Sequence, residues 1–83
     1  MPELRWERNA LGHLLDLSGP SRQRLVRQVG VLRQFPEMGT TALAPHETKR
    51  RLIVGPYSIV YEFDPDADVV SVVAIARGGP PLR

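Results

Sequence analysis

The sequence predicts a two-layer α+β domain in which two amphipathic helices cover one face of a mainly antiparallel sheet. Three observations predict it. Between Asn9 and Gln34 the apolar residues recur at spacings of three and four, as on one side of a helix. Between Lys49 and Ala76 they alternate or run together, as in strands, and proline and glycine fall where one pattern gives way to the next. The 83 residues are expected to form a single domain over 1–83, with a small core and an irregular tail over 78–83.

Glu3-Leu4-Arg5-Trp6 alternates polar and apolar, which predicts a short strand with Leu4 and Trp6 on its buried side. From Asn9 to Leu17, Leu11, Leu14 and Leu15 are expected to share a helix face widened by Ala10 and Leu17. Ser18-Gly19-Pro20 ends this helix and starts the next, because proline fits a first helical turn, where an N–H has no partner. The second helix is predicted to reach Gln34, with Leu25, Val29 and Leu32 inward and Val26 and Phe35 at the flanks. Pro36 and Gly39 stop it. Thr40 to Thr48 has no period and contains Pro45, which predicts a loop.

Strands follow at Lys49–Val54 and Tyr57–Asp64, joined by Gly55-Pro56 in a II′-like turn. Tyr57, Ile59, Tyr61 and Phe63 are expected on one face, opposite Ser58, Val60 and Glu62. Pro65-Asp66-Ala67 turns the chain into Asp68–Ala76, whose nearly continuous Val, Ala and Ile predict a central strand buried on both faces.

Composition excludes several classes. Without cysteine there is neither a disulfide framework nor a thiolate metal site. No apolar stretch approaches the ~20 residues of a membrane helix, and Met1-Pro2-Glu3-Leu4 lacks the blocks of a secretory signal, so a soluble cytoplasmic protein without membrane attachment is expected. The net charge of +2 is segregated: Arg22, Arg24, Arg27 and Arg33 lie in one stretch, Lys49, Arg50 and Arg51 in another, and Glu62, Asp64, Asp66 and Asp68 in a third. Such a basic face suits RNA phosphates or an acidic protein, and equally a solvated surface.

Three motifs then stand in order. Phe35-Pro36-Glu37-Met38-Gly39 closes the helical hairpin. Lys49-Arg50-Arg51-Leu52-Ile53-Val54-Gly55-Pro56-Tyr57-Ser58-Ile59-Val60-Tyr61 combines a basic strand, a tight turn and a tyrosine-bearing strand, and Val72-Val73-Ala74-Ile75-Ala76-Arg77-Gly78 ends the last strand in a cation. In this order they resemble the RelE/ParE superfamily of toxins from type II toxin–antitoxin modules. The resemblance covers nearly the whole chain and implies the RelE/ParE-like fold: an N-terminal strand, a helical hairpin, then a three-stranded antiparallel meander joining one sheet.

The resemblance implies a growth inhibitor neutralised by a cognate antitoxin, with no cofactor and no metal. RelE-like members are ribosome-dependent mRNA endonucleases (mRNA interferases), whereas ParE-like members act on DNA gyrase without catalysis. An attenuated toxin that only binds its antitoxin is a further alternative. Cleavage requires activation of a 2′-hydroxyl, cations for the phosphorane and a proton for the leaving oxygen. Lys49 and Arg51 match the family's basic pair, and Arg77 stands at or one residue before its last cation. Lys49, Arg51 and Arg77 are therefore the candidate catalytic residues, with His46 as a substitute proton carrier and Lys49, Arg50 and Arg51 as RNA contacts. Edge-strand cations also serve simply to deter aggregation, which is the competing explanation of these three. Ser58 departs from the arginine usual in RelE nucleases, and the tail from Gly78 to Arg83 holds neither tyrosine nor histidine. Arg22, Arg24 and Arg27 are expected to meet the antitoxin.

Overall fold

The computed structural model describes residues 1–41 and 49–77. Strand β1 (Glu3–Trp6) leads into helix α1 (Arg8–Leu15), and helix α2 (Gly19–Gly30) continues as a 3₁₀ turn over Val31–Arg33. Strands β2 (Thr40–Thr41), β3 (Arg50–Val54), β4 (Tyr57–Asp64) and β5 (Val69–Arg77) follow. They form one sheet in the order β1-β5-β4-β3-β2. β1 runs parallel to β5, and the other pairs are antiparallel. The meander and the N-terminal strand stand as the sequence predicts. Thr40-Thr41 does not belong to a loop: it pairs with Arg50 and Arg51, a two-residue edge strand too short to leave any alternation in the sequence.

Both helices lie on one face of the sheet, α1 on β5 and α2 towards β3. Leu25, Val29 and Leu32 are fully buried as expected, while Val26 and Phe35 are exposed. In α1 the expected stripe is rotated. Ala10 and Leu14 are buried and Leu17 packs beside them, whereas Leu11 and Leu15 are exposed. The helix also ends at Leu15, two residues short of the expected end. The Arg22 guanidinium donates to the Leu15 carbonyl at 3.5 Å, serving one of the acceptors that a helix end leaves open.

The last strand departs from expectation in a way that register explains. β5 is central, but only one of its faces is fully buried. Val60 opposes Ala74 and Tyr61 opposes Val72, so Val73 is one residue too many and makes a bulge. Before it, the even positions Val70 and Val72 face the helices; after it, Ile75 and Arg77 do. The apolar run that reads as burial on both faces is a change of phase. On the other face Ser71 and Ala74 are half-buried and Ala76 is exposed.

Turn chemistry follows the residues. Gly55 has φ 58°, and Pro56 after it is confined to negative φ, which is the II′ pattern. At the far hairpin the Asp64 carboxylate accepts from the N–H groups of Asp66 and Ala67 at 3.0 and 3.1 Å, and Asp68 takes φ 58° before β5 begins. Among the described residues no helix is long and apolar enough to cross a membrane.

Candidate functional site

β3 sorts the basic segment onto two faces. Arg50, Leu52 and Val54 pair with Tyr61, Ile59 and Tyr57 and share the helix-covered side with them. Lys49, Arg51 and Ile53 therefore lie on the other side, which no described helix covers, along with Ser58, Val60 and Glu62.

Arg50 is engaged within the fold. Its guanidinium donates to the carbonyls of Gly39 at 2.9 Å and Glu37 at 3.3 Å. The Gly39 N–H in turn donates to the Tyr61 hydroxyl at 2.8 Å. A Cβ at position 39 would come within 2.7 Å of both the Arg51 carbonyl and the Tyr61 hydroxyl, so only glycine fits here. The Phe35–Gly39 segment thus ends in a lock that ties the helical hairpin to β3 and β4. Tyr61 is fully buried, and its phenol pKa is raised, chiefly by desolvation and against the opposing pull of the Gly39 N–H and Arg50. Alternation predicts a core tyrosine. The partners across the sheet, Gly39 and Arg50, carry no signal beyond the presence of the motif.

On the uncovered face Lys49 Nζ lies 3.4 Å from Glu62, a half-exposed pair that moderates its charge. Arg51 sits opposite Val60 and has no hydrogen-bond or ion-pair partner among the described residues. Ser58 is only 3% exposed, and its Oγ finds no partner among the described residues. A long cationic side chain at this position would have to displace whatever encloses that hydroxyl.

The structure does not bring Arg77 to Lys49 and Arg51. It pairs with Tyr57, which puts it on the helix-covered side, about 10 Å along the strands from the level of Arg51 at 3.4 Å per residue. There its guanidinium carbon lies over the Tyr57 ring, 5.9 Å from the centroid. His46 lies outside the described residues. His13 of α1 sits at this same end, although it is far from the basic strand in sequence: its ring Nδ1 is 3.0 Å from the Ile75 carbonyl. Its signal was one of place in the fold, visible only once α1 is laid on β5. Of the antitoxin candidates, Arg24 and Arg27 are exposed on α2, with Arg24 over the Gly55 turn, and Arg22 is held by Leu15.

The family model described as the ParE toxin of type II toxin–antitoxin system, parDE, matches residues 4–79. No curated protein matches the chain. Among solved structures the fold is similar to that of the isolated E. coli RelE toxin, with TM-score 0.80 at 17% identity over 99% of this chain and 89% of that one. It is also similar to the toxin–antitoxin complex RelBE2 from Mycobacterium tuberculosis, with TM-score 0.83 at 19% identity over 93% of this chain and 99% of that one. The chromosomal ParDE system of P. aeruginosa gives TM-score 0.71 at 24% identity over 95% and 98%. At these identities the likeness is one of fold.

Proposed function

We propose a function from this premise: the chain belongs to the ParE toxin family of type II toxin–antitoxin systems. It is a growth inhibitor held inactive by a cognate antitoxin, and it acts at the ribosome by cleaving mRNA. The observation that carries the reading is the pair Lys49 and Arg51 at i, i+2 on the sheet face that no described helix covers. Two cations on one flat face can hold a phosphate and offset the charge that grows on it during attack. Arg50 is left out of this contact because its guanidinium is already spent on the Gly39 and Glu37 carbonyls.

The test is to add the purified protein to translating ribosomes and map the ends of the mRNA. Cleavage at the A-site codon is expected, and it should fall in Arg51→Ala and Lys49→Ala. Messages that stay intact while translation is inhibited would remove the nuclease reading.

A second reading is favoured by two observations. The buried Ser58 stands where the nuclease branch carries an arginine, and Arg77 lies on the opposite face from Lys49 and Arg51. Together they suit a ParE-like inhibitor that binds DNA gyrase without catalysis. Loss of supercoiling activity with undamaged RNA is its signature. Under both readings Arg24 and Arg27 on α2 meet an acidic antitoxin. Reversing both charges is expected to slow association, most clearly at low salt.

A further inference from the structure

At the C-terminal end of β5, opposite in both face and level to Lys49, a pocket of about 420 Å³ opens between α1 and the sheet. Leu17, Ile75, Ala76 and the ring of Tyr57 give it apolar walls, and His13, Asp16 and Arg77 supply its polar groups.

Two of the polar groups make contacts within the fold. A carbonyl only accepts, so the His13 Nδ1 must carry the proton it shares with Ile75 at 3.0 Å, and Nε2 remains as the ring's other hydrogen-bonding atom. The Arg77 guanidinium carbon lies over the Tyr57 ring, 5.9 Å from its centroid, and its N–H groups have no hydrogen-bond or ion-pair partner among the described residues. Asp16 contributes a carboxylate from the end of α1.

We propose that this pocket binds a short extended peptide carrying one acidic side chain between apolar ones. The carboxylate pairs with Arg77, the apolar neighbours cover Leu17 and Ile75, and a peptide N–H reaches His13 Nε2 or Asp16. RNA fits the same groups poorly. Every nucleotide adds a negative charge, whereas the pocket balances one guanidinium with one carboxylate and is otherwise apolar. The inference rests on the antitoxin reading for the partner's identity, the segment being part of that antitoxin, but not for the pocket's chemistry.

The test uses the full chain, ¹⁵N-labelled, titrated with blocked Ac-Leu-Glu-Leu-NH₂, with its glutamine counterpart, and with a uridine tetranucleotide. The glutamate peptide is expected to shift the amides of His13 to Leu17, Tyr57 and Ile75 to Arg77. Replacing its glutamate by glutamine, or Arg77 by glutamine, should each weaken binding by about fivefold or more, the scale of a charge-assisted bond. The peptide change leaves the protein untouched, so a folding defect in R77Q cannot imitate the result. Equal affinity for both peptides, tighter binding of the tetranucleotide at these residues, or shifts centred elsewhere would each overturn the inference. An antitoxin complex that survives R77Q undiminished would overturn it and leave the antitoxin reading standing. Rescue of growth by no co-expressed antitoxin would sink that reading and leave the peptide titration to judge the pocket.

Discussion

Arg50 and Arg51 are adjacent and chemically identical, yet β3 gives them opposite fates. Arg50 turns towards the helices and is consumed by the lock with Gly39, Glu37 and Tyr61. Arg51 turns to the uncovered face and has no partner among the described residues. The first belongs to stability, and the second is the one we propose for recognition. A cation's role in this fold is therefore set by the parity of its position along the strand, more than by its charge or its place in a basic run.

That contrast is sharpest at the lock. In Gly39→Ala the added Cβ would meet the Arg51 carbonyl and the Tyr61 hydroxyl at 2.7 Å, and one of these is backbone that cannot swing away. Overpacking of this kind is expected to cost about 3 kcal/mol. Urea unfolding at fixed pH measures it, and a loss below about 0.5 kcal/mol would show that the segment yields easily.

Tyr61→Phe keeps the ring and removes the acceptor of a buried N–H, at a cost of about 1–2 kcal/mol. The same hydroxyl makes stability depend on pH. Because burial raises its folded pKa, the folded state keeps its proton where the unfolded chain loses it. The contribution is whole below about pH 10 and is lost as pH rises through the folded pKa. Thermal melts from pH 8 to 11 should fall more steeply in the wild type than in Tyr61→Phe. Parallel curves would mean that the phenol is not linked to folding.

The two arginines provide the direct comparison. Arg50→Met should cost about 1 kcal/mol, because two carbonyls lose a charged donor. Arg51→Met should stay within about 0.5 kcal/mol and yet weaken toxicity in growing cells. Equal stability losses for the two would erase the distinction between the faces.

Much of this was legible before the structure. Hydrophobic patterning located both helices and four strands, and proline and glycine placed the turns, because those signals are local and each residue's neighbour in sequence is its neighbour in the element. What stayed hidden depends on pairing. The Val73 bulge conserves composition and changes only phase. Thr40-Thr41 is a strand because Arg50 and Arg51 are beside it. The site followed the same rule. Alternation gave Lys49 and Arg51 a common face. The separation of Arg77 from them, and its approach to His13, needed the register of β4 on β5 and the seat of α1.

The smallest effect tests the uncovered face by itself. Lys49 and Glu62 are half-exposed partners at 3.4 Å, and pairs of this kind contribute about 0.2–1 kcal/mol that salt screens further. Glu62→Gln should therefore leave stability almost unchanged. Its consequence lies elsewhere, because it releases the ammonium beside Arg51 and removes one negative charge from a face proposed to meet phosphate. Binding to a short RNA or to ribosomes at low salt is expected to tighten, and Lys49→Ala in the same background should abolish the gain. A Glu62→Gln protein that binds no better would mean that the carboxylate was never competing for Lys49. The uncovered face would then be a solvated surface.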